Sequence, residues 1–216
     1  MTLKIEDYIL NHIDAEPEYL HQLDRDTHLY HLRPRMCSGH LQGRILKMFV
    51  RMIGAKRILE LGTFTGYSAL CLAEGLPCDG ELHTIEIDDE LEDFIREHFD
   101  GSKYADRLFL HIGDAKEVLK KLEGKKFDLA FVDANKREYC EYYELVFPYI
   151  KEGGFIIADN TLWDGHVVDE THMNDAQTQG ILKFNRLVAE DERVEKIILP
   201  IRDGLTIIYK KTSMEL

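Results

Sequence analysis

Basic residues are in deficit: 27 Lys and Arg stand against 40 Asp and Glu, a formal net charge of −13. Such a chain repels phosphate backbones at long range, which argues against general nucleic-acid binding and leaves only a local basic patch for a particular RNA. The pairs Arg33/Arg35, Lys120/Lys121 and Lys125/Lys126 read as solvated surface. Cysteine is sparse. Cys37, Cys71, Cys78 and Cys140 form no CxxC pair and are too few for a disulfide framework, so reduced thiols in a cytoplasmic protein are expected. No apolar run approaches the roughly 18 residues of a membrane span, and the first residues alternate charge with hydrophobe, so neither membrane insertion nor secretion is expected. Only 15 Gly and 5 Pro occur in 216 residues, too few for a fibrous or disordered chain.

What is present is a folding composition, 44% hydrophobic and 31% charged, without repeats or linkers. It predicts a single domain over 1–216, with 1–55 as a helical N-terminal extension. Ile5, Ile9 and Ile13 share a helical face. Leu41, Ile45, Phe49 and Met52 recur at helical spacing after a cap at Ser38. From Arg57 the pattern changes to short apolar runs alternating with amphipathic stretches: RILELG, ELHTIEID, RLFLHIG, FDLAFVD and GFIIADN, with helices beginning at Tyr67, Glu90, Asp114, Glu138 and about Ala176. Alternation of this kind predicts an α/β fold, a Rossmann-like parallel sheet with helices on both faces. VEKIILP and LTIIYKK are separated only by Ile201 to Gly204. That connection is too short for a parallel crossover, so the chain should close with a C-terminal antiparallel hairpin.

Ligands of open α/β sheets sit beyond the carboxyl ends of the strands. The first strand runs into ILELGTFTGYSAL, whose Gly62 and Gly66 make a G-x-x-x-G turn and not the G-x-G-x-x-G of a dinucleotide site. Glu60 would repel a pyrophosphate there and suits a ligand with a positive charge. Glu86 closes the second strand, where a carboxylate can accept hydrogen bonds from both ribose hydroxyls. A nucleoside with a cationic, phosphate-free tail is S-adenosylmethionine. The alternative is an ordinary turn and a surface acid. Asp114 and Ala115 occupy the next position along the edge, either near adenine or simply heading a helix.

Asp133 ends the fourth strand, and Asp159 and Asn160 end the fifth. Two carboxylates and an amide oxygen are hard ligands for Mg²⁺, Mn²⁺ or Ca²⁺; alternatively the acids cap helices. Lys136 could reach the same site as a base, its pKa lowered by a nearby cation, or face solvent.

LELGTFTGYSAL, FVDANK, ADNTLWDGHVV and the closing DGLTIIYK together resemble the cation-dependent O-methyltransferases of the caffeoyl-CoA and catechol type, from about Leu32 to Lys211. The resemblance implies a class I methyltransferase fold, with Met36 and Ser38 over the methionine part of the cofactor. Glu60, Gly62, Thr63 and Ser68 would lie at its amino-acid end, Glu86 at the ribose, and Asp114 with Ala115 at the adenine. Asp133, Asp159 and Asn160 would hold the cation, Asp133 serving cofactor and catalysis as well, and Lys136 would be the base. It also implies a homodimer. Asn135 departs from the pattern, since the animal catechol enzymes carry an aromatic residue there. Trp163 either walls the acceptor pocket or joins the core, and His166 and His172 could border the acceptor. His21, His28, His31 and His40 lack the spacing of a second metal site.

The expected reaction is methyl transfer to a hydroxyl of a small catechol-like or caffeoyl-type acceptor. The alternatives are methylation of a hydroxylated tRNA base, a nicotinamide-dependent dehydrogenase, and a binding protein without turnover.

Overall fold

The seven strands of the computed structural model, which describes residues 3–215, are β1 (Arg57–Leu61), β2 (Glu81–Glu86), β3 (Leu108–Ile112), β4 (Phe127–Val132), β5 (Ile150–Asp159), β6 (Val194–Leu199) and β7 (Leu205–Lys210). They form one mixed sheet in the order β3-β2-β1-β4-β5-β7-β6. β2 pairs parallel with β3, as do β1 with β4 and β4 with β5, whereas β7 runs antiparallel to both β5 and β6. The terminal hairpin therefore forms as its short connection, Pro200 to Gly204, demands. Its later strand lies inside the sheet and its earlier one at the edge.

The described residues group into two compact units. The first takes the chain up to Lys56 together with Thr63–Gly113. It contains α1 (Leu3–Leu10), α2 (Glu18–Tyr30), α3 (Gly39–Ile53), α4 (Tyr67–Gly75) and α5 (Glu92–Asp100), along with β2 and β3. Residues 1–55 are thus not helical throughout. α1 ends at Leu10, residues 11–17 lie outside any helix, and Pro17 stands at the head of α2 in an extended conformation. Ile13 lies beyond α1 and does not continue its face.

α3 carries a second difference. Its apolar repeat locates the helix but not the buried side: Met52 is 77% exposed, while Leu46 and Val50 are buried together with the polar Gln42, Arg44 and Lys47. The cause is α4. Arg44 and Lys47 both reach Glu74, at 2.7 and 2.6 Å, which makes burial of their charges tolerable. Ser38 occupies the N-cap of α3 without making a side-chain cap bond.

The second unit takes Arg57–Gly62 and the chain from Asp114 onward. It holds β1, β4, β5, β6 and β7, with α6 (Ala115–Lys121), α7 (Tyr139–Val146) and α8 (Ala176–Glu190). β4 is buried along nearly its whole length, the pattern of a parallel strand covered on both faces. β5 begins at Ile150, earlier than the apolar run suggests, because a register shift opposite Phe127 and Leu129 carries the strand through Lys151–Gly154. Asp175 caps α8 by accepting from Thr178 N at 2.7 Å, which accounts for a helix start legible from sequence. Among the described residues no helix is long and apolar enough to cross a membrane.

Candidate active site

In the second unit the parallel register pairs Val132 with Ala158, so Asp133 and Asp159, each one residue further on, leave neighbouring strands at the same level. Asp159 is 3% exposed and accepts a hydrogen bond from Asn160 N at 2.8 Å. Neither acid caps a helix. The turn after β4 is capped by Asn135, whose side chain accepts from Arg137 N, and Asp133 is left for Lys136. Lys136 Nζ donates to Asp133 Oδ1 at 2.6 Å and to the Tyr139 hydroxyl at 2.7 Å. Lys136 is buried, not solvent-facing. α8 packs directly over this turn: a Cβ on Gly180 would stand 2.3 Å from the Lys136 carbonyl oxygen.

Tyr139 is a member of this cluster that the sequence reading missed. It is fully buried, stacks edge-on against Phe184, and its hydroxyl lies 2.9 Å from the carbonyl oxygen of Asp159. Burial, reinforced by the charges of Asp133 and Asp159, pushes its phenol well above the ordinary range, so it remains a donor at neutral pH. Its spacing, three residues after Lys136, was the available signal.

Gly62 earns its place by close approach, with φ at 92°. A Cβ there would meet the Asp133 carbonyl oxygen at 2.0 Å, and Asp133 N donates to Leu61 O at 2.9 Å. Glu60, two residues earlier, is fully buried. Asp114 caps α6, accepting from Lys116 N at 2.7 Å, with Ala115 next to it. Trp163 is half-buried, not core. His166 and His172 stack with ring centroids 3.7 Å apart, and His172 Nδ1 lies 2.8 Å from Asp169 Oδ2.

In the first unit Glu86 ends β2, and the loop after the glycine turn folds onto it. Phe64 N donates to Glu86 Oε2 at 2.7 Å, and Asp88 N to Oε1 at 3.0 Å. Burial raises the Glu86 carboxyl above its usual range, and these backbone donors offset part of that rise. Each carboxylate oxygen accepts more than one hydrogen bond, so capacity for two hydroxyls is retained. Thr63 is buried with its hydroxyl against that of Thr84. Thr27 of α2 donates to Thr65 Oγ1 at 3.0 Å. Ser68 is buried in the first turn of α4; Ser38 is buried and Met36 is half exposed.

The acids and amide of the second unit fit a hard cation by donor type. The donor set depends on the amide, because among the described residues no three His, Cys, Asp or Glu side chains gather into a metal site. The clustered N-terminal histidines form no such group.

A family model described as O-methyltransferase matches residues 11–211. The chain is 35% identical over 202 residues to caffeoyl-CoA O-methyltransferase 1 of Zea mays, covering 89% of this chain and 78% of the relative. Among solved structures it is similar to an O-methyltransferase from Bacillus cereus in complex with SAH, with TM-score 0.89, 29% identity and coverage of 96% and 97% of the two chains. It is also similar to the O-methyltransferase TomG of Streptomyces achromogenes in complex with SAM, with TM-score 0.87, 30% identity and coverage of 97% and 96%. The fold is that of a class I methyltransferase. The chain belongs to the O-methyltransferase family, which sets aside the dehydrogenase and the binding protein without turnover.

Proposed function

We propose that this chain transfers a methyl group from S-adenosylmethionine to one hydroxyl of a small catechol-like or caffeoyl-type aromatic acceptor, with a divalent cation held by Asp133, Asp159 and Asn160. The observation that carries the reading is the buried cluster in which Lys136 bridges Asp133 and Tyr139 at 2.6 and 2.7 Å. S-adenosylmethionine supplies a methyl carbon activated by a sulfonium, and Mg²⁺, Mn²⁺ or Ca²⁺ would orient the acceptor oxygens and lower the pKa of the one to be methylated. Lys136 takes the acceptor's hydroxyl proton at Nζ. Bound S-adenosylmethionine would supply the methyl group, whose carbon bonds to the freed oxygen as its C–S bond breaks and S-adenosylhomocysteine leaves. Tyr139 holds Lys136 at that post.

Glu86 receives the ribose hydroxyls. Glu60, Gly62, Thr63 and Ser68, with Met36 and Ser38, serve the methionine end, and Asp114 with Ala115 the adenine. The relatives solved in complex with SAH or SAM support S-adenosylmethionine as the cofactor, and the caffeoyl-CoA enzymes support the acceptor class.

The test is methyl incorporation from labelled S-adenosylmethionine into catechols, caffeoyl esters and undermodified tRNA, with Mg²⁺ and then chelator, beside Asp133→Ala. Chelator-sensitive transfer to a catechol that the variant loses is expected. Transfer to tRNA alone would overturn the acceptor assignment, and transfer indifferent to chelator would overturn the cation.

A further inference from the structure

The segment after β5 is strained. Asn160, Trp163 and Asp164 all have positive φ, at 57°, 48° and 52°, a conformation that costs a non-glycine residue about 1 kcal/mol or more and persists only when its surroundings impose it. What imposes it is the turn from Ile201 to Gly204 between β6 and β7. Leu162 N donates to Asp203 O at 2.7 Å, Trp163 N to the same oxygen at 3.2 Å, and Thr161 N to Gly204 O at 3.1 Å. Gly204 makes the approach possible, since a Cβ there would stand 2.8 Å from Leu162 N. Two side chains complete the clamp on Thr161: Thr206 donates to its hydroxyl and Asn185 Nδ2 to its carbonyl, both at 2.8 Å.

From this fixed turn the Asp203 carboxylate reaches Asn160. Asn160 Nδ2 lies 3.5 Å from Asp203 Oδ2, at the long end of a hydrogen bond. An ionised carboxylate only accepts, so it can engage only the amino end of the amide, which turns the amide oxygen to the opposite side.

We propose that Asp203 is a positioning residue: its carbonyl clamps the strained strand end, and its carboxylate selects the orientation of Asn160 that leaves the amide oxygen for the cation. The inference rests on the reading of Asp133, Asp159 and Asn160 as cation ligands. Partners that orient metal ligands typically change affinity by about 10- to 100-fold.

The test compares wild type, Asp203→Ala and Asp203→Asn by calorimetric titration with Mn²⁺ alone and by NMR of the Asn160 side-chain amide without metal. Hydrogen exchange at Leu162 and Trp163 reports whether the backbone clamp is intact. Expected for Asp203→Ala is a moved Asn160 resonance and an affinity about tenfold lower, with the clamp amides still protected. Asp203→Asn, whose side-chain oxygen can accept the same bond, recovers most of the affinity. An unmoved resonance overturns the proposal whatever the affinity does, because a purely electrostatic role would lower affinity without touching the amide. A moved resonance in a protein whose wild type binds no Mn²⁺ supports the hold of Asp203 on Asn160 and overturns the cation reading instead.

Discussion

Lys136 donates to the hydroxyl of Tyr139 at 2.7 Å, and that same hydroxyl lies 2.9 Å from the carbonyl oxygen of Asp159. One buried phenol thereby ties the lysine after β4 to the acid that ends β5. Tyr139→Phe removes an acceptor from the buried Lys136 Nζ and a donor from a buried carbonyl while keeping the ring against Phe184. Leaving such groups unsatisfied costs about 2 kcal/mol, so a lower melting temperature is expected. Because Lys136 loses one of its two anchors, kcat should fall about tenfold, a loss of about 1.4 kcal/mol in transition-state stabilisation, with KM for S-adenosylmethionine little changed. A rise in KM without a fall in kcat would contradict the positioning of Lys136 by Tyr139.

Gly62→Ala tests the contact between the glycine turn and the strand beside it. The new Cβ would stand 2.0 Å from the Asp133 carbonyl oxygen, at a residue whose φ is 92°. Both penalties act together, and the backbone term alone is worth about 1 to 2 kcal/mol. Loss of stability in thermal melts and loss of cation-dependent activity are expected together, since Asp133 must move to make room. Full stability with full activity would show that the turn yields freely.

The strand ends were legible because strongly apolar runs stop abruptly in acids. FDLAFVD and GFIIADN announce Asp133 and Asp159, and the parallel register then sets them level. Helix starts were legible where a capping residue marks them, as Asp114 and Asp175 do. The buried face of α3 was not. Arg44 and Lys47 are buried against Glu74, a partner distant in sequence. Asp203 was likewise hidden, because it acts on Asn160 from another element, and no local periodicity encodes such a meeting.

Glu86 holds the loop after the glycine turn through Phe64 N and Asp88 N. Replacing it with alanine removes the acceptor for both and, on the proposed function, for the ribose hydroxyls. Hydrogen bonds to a charged group are worth about 1.5 to 3 kcal/mol each, so binding of S-adenosylhomocysteine should weaken by at least about tenfold in calorimetry. Burial raises the Glu86 carboxyl. In the free protein its contribution to stability is therefore full below the ordinary carboxylate pKa and is lost as pH rises through the raised value. Ligand affinity should move the other way, increasing as the carboxylate ionises. Affinity in the alanine variant equal to wild type would remove Glu86 from the cofactor site.

Glu74 governs the acid stability of the first unit. Burial by itself would raise its pKa, but the hydrogen bonds from Arg44 and Lys47 outweigh that and hold the carboxyl below the usual range. A depressed carboxylate contributes stability that is full above the unfolded-state value of about 4.3 and is lost as pH falls through the folded-state value. Glu74→Gln keeps the shape and removes the charge, leaving the ammonium of Lys47 and the guanidinium of Arg44 buried without their counter-ion. Breaking a buried pair from one side costs about 3 kcal/mol, so the variant should melt markedly lower near neutral pH, with the gap to wild type closing in acid. Melting curves from about pH 7 down to about pH 3 measure both effects. A constant gap over that range would mean that the glutamate acts through packing and not through charge.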